Sequence, residues 1–499
     1  MAGRRFFQRG HASVPAAALS SGSSAAPRWL LAGVAAATVG SGGYYLFRAP
    51  SGSLDALATA VVQPAGTVDA AGSASPTSLL ETALSSVQAA THPDRPAAGL
   101  SGLAPQPLTD DGMAKVVPLL GQAEARLIAI YRLISQGLHR EALQKAEQLV
   151  RDHPNFHLAH LVHGDLLSLQ VRPIRQLGDV PDTKASAAAQ QLAVLRDESR
   201  RRLQALTERP PEGAVPSQFL SLASASRHAI AIDASRSRLY LFENQSPSSA
   251  GDLLAPAPQF KLLGDFYISV GLSGIEKSVE GDKRTPLGVY YITSNLNPSS
   301  LPDLYGVGAL PINYPNPLDV QRGKTGSGIW LHGTPREQFV RAPQASDGCV
   351  VLSNPDLEKL LDTVSVRTTP VVIAPSLQWV LPDTLDQERQ SFEASLRAWR
   401  DAKSEGQIDR LRQFYVASPA KARDASLAPW PRIEAELRNA RVARELELKD
   451  VSILHWKDRE DTMVVTFGEV AMGQSRGVNR RQYWTRENGQ WKIFSEGTP

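Results

Sequence analysis

Apolar positions recur along this chain at two different periods, and the change from one to the other divides it. Between Gly121 and Glu208, Leu127, Ile130, Tyr131 and Ile134, then Ala142, Leu143, Ala146 and Leu149, fall three and four residues apart. That spacing lines one face of a helix and predicts a row of helices, the first two separated by Gly137, with Pro154 opening the next. After Pro210-Pro211 the period becomes two. HAIAIDASRSRLYLFE alternates apolar and polar residues about a turn at Asp233 to Ser237 and predicts a hairpin, and FKLLGDFYISVG, PLGVYYITS, SGIWLHG and GCVVLS continue as strands. NPDLEKLLDTV is the one helical pattern in that β-rich stretch, with Asn354 as N-cap and Pro355 at the first helical position. From residue 389, SFEASLRAWRDAKSEGQIDRLRQFY is helical again, and the last strands close on an Asn488-Gly489 turn.

The first 112 residues follow neither period. Arg4, Arg5, Arg9 and Arg28 precede WLLAGVAAATVGSGGYYLF, an uncharged stretch at 29–47 that would span roughly 28 Å as a helix, close to a bilayer core. Only Arg48 stands directly behind it. The charge asymmetry predicts a cytoplasmic basic segment at 1–28, a single-pass inner-membrane anchor at 29–47 and a periplasmic remainder. A cleaved signal peptide is the rival, GRRFF passing for a loose twin-arginine signal, although the apolar stretch exceeds the usual h-region. Residues 48–112, rich in Ala, Ser, Gly, Pro and Thr, read as a disordered linker.

Composition narrows the function. A chain of 499 residues exceeds one hydrophobic core, and a net charge of +3 is too small to argue for a nucleic-acid partner. One cysteine excludes a disulfide framework and a thiolate-rich zinc site. His153, His157, His160 and His163 share a helical arc, but no carboxylate completes a metal-binding pattern, so they read as a solvated face. No metal and no cofactor is expected.

The single cysteine carries the candidate chemistry. Cys349 follows Gly348 in a Ser-Asp-Gly-Cys turn, 17 positions after His332, and the two lie at the ends of different strands. An imidazole can take the thiol's proton and later return it to a leaving amine. Gly348 leaves room for a carbonyl beside the sulfur, and the N–H groups around Gly348 and Cys349 are candidate oxyanion donors. The rival is a cysteine buried as a small apolar residue.

The order of Gly271, the Lys277 to Gly288 segment with its Thr-Pro-x-Gly, the Trp330-Leu331-His332-Gly333 strand end and Ser346-x-Gly348-Cys349 resembles the YkuD-type L,D-transpeptidase domain. That resemblance implies a mainly β fold whose cysteine attacks the bond between diaminopimelate and D-alanine in peptidoglycan stem peptides. The thioester then passes to an amine. It also implies Cys349 as nucleophile, His332 as base, Gly333 as the carbonyl orienting the ring, and Ser346 as the motif serine, which either bears on the histidine or shapes the turn; Gly348 and Asp347 are further supporting candidates. Two positions depart from the family: Asp347 stands where a second histidine is common, and Val351 where an arginine is common. Arg336 and Arg341 are the substitutes chosen for substrate binding, with Arg322 and Lys324 as further cations. Asp347 admits three roles: raising the thiol pKa by repulsion, closing an Asx turn onto the N–H of Cys349, or facing solvent. The turn role is favoured because Asp before Gly is common in tight turns.

LISQGLHREALQKAEQLVRDHPNFHLAHLVHGDLL resembles one and a half tetratricopeptide repeats, which implies a protein partner or self-association to complete them. The last 110 residues resemble the nuclear-transport-factor-two-like cone. The expectation is therefore a multidomain protein: an α-helical repeat-like region at 113–209, a mainly β YkuD-type catalytic domain at 226–376 and an α+β cone-shaped domain at 389–499. The combination is similar to cell-shape L,D-carboxypeptidases, so water as acceptor is the alternative to an amine. An inactive wall-binding scaffold is a second.

Overall fold

The computed structural model describes residues 119–246, 258–416, 429–439 and 445–499. Four helices come first: α1 (Gln122–Ser135), α2 (His139–Asp152), α3 (His157–Ser168) and α4 (Asp182–Thr207). Leu127 and Ile130 of α1, Ala142, Ala146 and Leu149 of α2, and Phe156, Leu158 and Val162 at α3 form one buried cluster. The small Ala142 and Ala146 let neighbouring helices approach, as their spacing suggested. Helices of 14, 14 and 12 residues give way to one of 26, so the repeat length is not continued.

The stretch after Pro210-Pro211 contributes β1 (Val215–Pro216) and β2 (Phe219–Ser221), both before the expected start of the β domain at 226. The β region then runs through β3 (His228–Asp233), β4 (Arg238–Asn244), β5 (Phe260–Tyr267), β6 (Val270–Gly271), β7 (Gly288–Tyr291) and β8 (Ala309–Pro311). After α5 (Pro317–Gln321) come β9 (Trp330–His332), β10 (Gln344–Ser346), β11 (Val350–Val351), α6 (Asn354–Thr363), β12 (Pro370–Ala374) and β13 (Trp379–Val380). Five strands pair in the order β5-β4-β3-β12-β7, three in the order β11-β9-β8, and β10 joins β6. Ile230, Leu239, Tyr290, Leu331, Val350, Leu357 and Ile373 form the core between these sheets and α6. The predicted hairpin is β3 paired with β4. The predicted cap shifts by one residue: Ser353, not Asn354, caps α6 by accepting from the Asp356 N–H, which frees Asn354 for another task.

The C-terminal domain packs α7 (Asp386–Ser404), α8 (Ile408–Arg412) and α9 (Pro429–Asn439) on β14 (Leu446–Lys457), β15 (Asp461–Ala471), β16 (Val478–Glu487) and β17 (Gln490–Gly497). The four long strands form an antiparallel meander, and β2 is the fifth member of their sheet, beside β14.

A buried ionic cluster fastens the helices to the catalytic sheet. Glu124 of α1 meets Arg202 of α4 and Arg238 of β4, each at 2.9 Å, while Arg202 also meets Glu198 at 2.9 Å and Arg238 meets Asp265 at 2.6 Å. Burial pushes the Glu124 carboxyl up, but the two guanidiniums outweigh it and hold the group below its ordinary value. Glu198 and Asp265 stay raised, burial being the larger effect for both.

The expected inner-membrane anchor requires correction. Among the described residues no helix is long and apolar enough to cross a membrane. Residues 29–47, on which the anchor, the single-pass topology and the periplasmic placement rested, lie outside the described residues, as do the basic segment and the whole of the 48–112 linker. No membrane placement is retained.

Glu124→Ala is expected to leave two buried guanidiniums short of a carboxylate, at a cost of about 3–5 kcal/mol. Denaturant unfolding followed by tryptophan fluorescence measures it; a loss below 1 kcal/mol, on the scale of an exposed pair, would contradict the assignment.

Candidate active site

The Ser-Asp-Gly-Cys turn is stretched between two parallel pairings. Ser346 at the end of β10 is opposite Gly271 of β6, and Val351 of β11 is opposite His332 of β9. Gly348 has φ +121°, and a Cβ there would lie 2.8 Å from the Arg284 carbonyl oxygen, so glycine is required on both counts. Thr285, fully buried, accepts from the Gly271 N–H and donates to the Gly348 carbonyl, each at 2.9 Å. Three motif segments far apart in sequence thus meet at one hydroxyl.

Ser346 shapes the turn and does not bear on the histidine. Its Oγ donates to the Cys349 carbonyl at 2.6 Å and accepts from the Gly348 N–H at 3.1 Å. This removes the Gly348 N–H from the pair of candidate oxyanion donors. It also takes over the turn role favoured for Asp347, whose side chain is 86% exposed with Lys283 Nζ at 3.7 Å. The Asx-turn expectation was wrong because the serine one residue earlier already satisfies the turn.

His332 is buried, and its Nδ1 lies 2.7 Å from the Gly333 carbonyl oxygen. With Nδ1–H donating there, the lone pair is on Nε2. Gly333 must be glycine because a Cβ would lie 2.0 Å from Asn354 Oδ1. Asn354 is the clamp: Oδ1 accepts from the Val307 and Thr334 N–H groups, at 3.3 and 3.1 Å, and Nδ2 donates to the Thr334 carbonyl at 2.9 Å. The parallel register of β9 and β11, with side chains alternating, places Trp330 and His332 on the face toward which Cys349 and Val351 point.

Burial drives the imidazole down to about 4, the Gly333 bond opposing and the Arg341 charge assisting. Burial pushes the Cys349 thiol up; the Trp330 N–H, Arg341 and Lys277 pull it back, while Asp347 adds to the rise. The resting pair at neutral pH is therefore a thiol and a neutral imidazole. A neutral imidazole with a free Nε2 is a competent general base.

Of the two cations chosen for substrate, only Arg341 is in place, half-buried and within the electrostatic reach of Cys349 and Asp347. Arg336 is not brought to the site: its side chain is 91% exposed and faces Asp303 at 3.7 Å. Arg322 pairs with Asp458 of the C-terminal domain at 2.6 Å and Lys324 with Asp319 at 2.7 Å. Two further residues escaped the sequence reading. Tyr305 sets its ring 5.0 Å from that of His332 and 4.7 Å from that of Trp330, and its phenol is pushed up by burial and by Cys349. Lys277 is buried with Nζ 2.9 Å from Asp282. The Lys-x4-Asp spacing was visible; Tyr305 ends a single 3-10 turn, Asp303–Tyr305, too short to give a periodic signal.

Among the described residues, Glu388, His455 and Asp461 alone have three possible metal ligand atoms close together. His455 Nε2 lies 2.6 Å from Asp461 and Nδ1 3.4 Å from Glu388, so both ring nitrogens already face carboxylates and the group ties α7 to the sheet. His153, His157, His160 and His163 form no such group there; His160 Nε2 instead meets the Pro154 carbonyl at 2.8 Å.

Residues 227–373 match the family model of the L,D-transpeptidase catalytic domain, YkuD, and residues 391–497 that of the Cds6 C-terminal NTF2-like domain. The architecture is thus N-terminal helices, a mainly β YkuD domain and a β-rich NTF2-like domain with some helix. Neither match covers the helical region, whose tetratricopeptide likeness rests on its sequence alone. Among solved structures the chain is similar to Bdellovibrio bacteriovorus Bd1075, at 23% identity and TM-score 0.45, over 57% of this chain and 98% of that one. It is also similar to the helical cell shape determining protein Pgp2 from Campylobacter jejuni, at 22% identity and TM-score 0.43, over 54% and 91%. No curated protein matches the chain. The YkuD match supports a peptidoglycan function of the L,D-transpeptidase family.

Because the Asp347 carboxylate repels the thiolate and makes no turn bond, Asp347→Asn and Asp347→Ala should both lower the Cys349 pKa by similar amounts. The pH dependence of iodoacetamide alkylation reads this; a change in one variant only would restore the turn role.

Proposed function

We propose that the protein is a cysteine L,D-transpeptidase that cleaves the diaminopimelate–D-alanine bond of peptidoglycan stem tetrapeptides and passes the acyl group to an amine. The observation that carries this reading is a neutral His332, fixed through Nδ1 by the Gly333 carbonyl, on the strand next to the Cys349 turn. Nε2 takes the thiol proton as Sγ attacks the scissile carbonyl. The tetrahedral intermediate collapses, the C–N bond breaks, and the imidazolium returns its proton to the departing D-alanine amine. The thioester is then attacked by the acceptor amine, which regenerates the thiol. Arg341 would pair with a stem-peptide carboxylate, the task left open by Val351.

Incubation of the purified protein with disaccharide tetrapeptide, followed by mass analysis, tests the reading. Cross-linked dimer or exchange of the terminal D-amino acid is expected; tripeptide alone would make water the acceptor and the protein an L,D-carboxypeptidase. No product, with Cys349 still alkylated by iodoacetamide, would favour a wall-binding scaffold. Cys349→Ala should abolish turnover, and His332→Ala should lower it by about a hundredfold or more.

The acid limb of kcat/KM reports the base in the free enzyme. With His332 depressed, the neutral ring persists down to about pH 4, so activity should fall off there and not near 6.5. An acid limb at 6.5 in a stopped assay between pH 3 and 9 would mean a solvated histidine.

A further inference from the structure

The strand that ends in His332 and the turn that holds Cys349 are joined by residues 333–345, and this connection does not close on the catalytic sheets alone. At its crest Phe339 is buried among helical-region side chains, its ring 4.6 Å from Phe156 and 4.8 Å from His153, where α2 passes into α3. Val340 packs on the same cluster. The backbones are tied as well: the Phe339 N–H donates to the Asn155 carbonyl at 3.4 Å, and Asn155 Nδ2 donates to the Arg336 carbonyl at 2.7 Å. Thr334 Oγ1 donates to the Phe339 carbonyl at 3.2 Å, linking the crest to the residue directly after His332-Gly333.

Two residues beyond Phe339 stands Arg341. Its carbonyl accepts from the Tyr267 hydroxyl at 3.1 Å, and the Tyr267 ring lies under the Arg202 guanidinium of α4 at 3.9 Å. The segment is therefore held on one side directly by the α2–α3 junction and on the other by a tyrosine that α4 covers. The guanidinium so placed reaches the strand that enters the turn, Nη1 donating to the Ala345 carbonyl at 3.5 Å, and with Lys277 it is one of two cations that act on the Cys349 sulfur. A connection with no regular structure before β10 has no means of its own to hold a side chain at a fixed place.

We propose that Phe339 is a positioning residue: seated in the junction of α2 and α3, it holds Arg341 against the Cys349 turn and makes the helical region part of the site that receives the stem-peptide carboxylate. The carboxylate clause rests on the function proposed above; the placement of Arg341 at Cys349 does not.

The test uses the full chain and the pH profile of Cys349 alkylation, which needs neither substrate nor turnover. Arg341→Gln removes a charge that favours the thiolate and should raise the thiol pKa. Phe339→Ala, with Arg341 intact but released, should raise it in the same direction, and the double variant should shift no further than Arg341→Gln alone. Phe339→Leu should recover most of the wild-type profile. Asn155→Ala, which breaks the tie to Arg336 without opening a cavity, should reproduce part of the shift and guards against a Phe339→Ala protein that fails to fold. With disaccharide tetrapeptide, Phe339→Ala should raise KM about tenfold, the loss of a charged hydrogen bond, with a smaller change in kcat.

The proposal is overturned if Phe339→Ala and Asn155→Ala keep the wild-type alkylation profile while Arg341→Gln moves it. It is equally overturned if the Phe339 and Arg341 shifts add in full, or if Arg341→Gln leaves the thiol unmoved. Absence of turnover in the wild type, with the alkylation shifts as expected, would remove the proposed reaction and leave the positioning role standing.

Discussion

The cluster of Glu124, Arg202, Arg238, Glu198 and Asp265 is the constraint on which the placement of the helices depends. Three carboxylates and two guanidiniums leave water together, which is favourable only when the hydrogen bonds are nearly complete. Arg238 meets this requirement by also donating to the Asp265 carbonyl at 2.7 Å, and Arg202 by lying on the Tyr267 ring. Burial leaves Glu198 and Asp265 above their ordinary values, with Arg209 joining Arg238 in opposing the rise at Asp265. Ion pairs of this kind specify an arrangement more sharply than apolar contact does, because a small slip of α1 or α4 would strand a charge.

That rigidity reaches the chemistry through geometry. His332 is held by its own strand, by the Gly333 carbonyl and by the Asn354 clamp; Cys349 by Thr285 and Ser346. Each reacting side chain is thus fixed by backbone groups and by neutral hydroxyls and amides. No carboxylate supports the imidazole at Nδ1, which is consistent with its remaining neutral until a thiol gives up a proton to it. Burial disfavours charge on both partners, so the pair rests as thiol and neutral ring.

Much of this was legible in the sequence. The helical period found α1 and α2 through Leu127, Ala142 and Ala146, and the two-residue period found β3 and β4, since those signals are local; α3 opens at His157, with Pro154 left in the turn before it. Cys349, His332, Gly333, Ser346 and Gly348 were recognisable by type and order, and the structure brings these five together. The misses have physical causes. Asn354 was the expected cap, but its amide is used against Thr334 and Val307, and Ser353 caps instead. Asp347 lost its turn role to a neighbouring hydroxyl, a competition that spacing does not reveal. Arg336 and Arg341 are alike in sequence and differ only in which side of the connection faces the sulfur. Tyr305 reaches the site from a single 3-10 turn, and the residues around Phe219 stayed unassigned because a three-residue strand is too short to show a period.

The strand β2 carries one more consequence, for the order in which the chain is made. The N–H of Ala223, two residues beyond it, donates to Ser452 Oγ across 229 residues of sequence, and β2 precedes the whole YkuD domain yet belongs to the sheet that follows it. On a ribosome, the backbone of Phe219 to Ser221 emerges long before β14 exists to pair with it, although the Phe219 ring packs on Phe242 and Phe260 of the next domain. The catalytic domain must fold with this tail unpaired, and the C-terminal sheet can be completed only by reaching back to it. The two domains are thus threaded together like a drawstring, and a cut made at the start of the catalytic domain would take an edge strand from its neighbour.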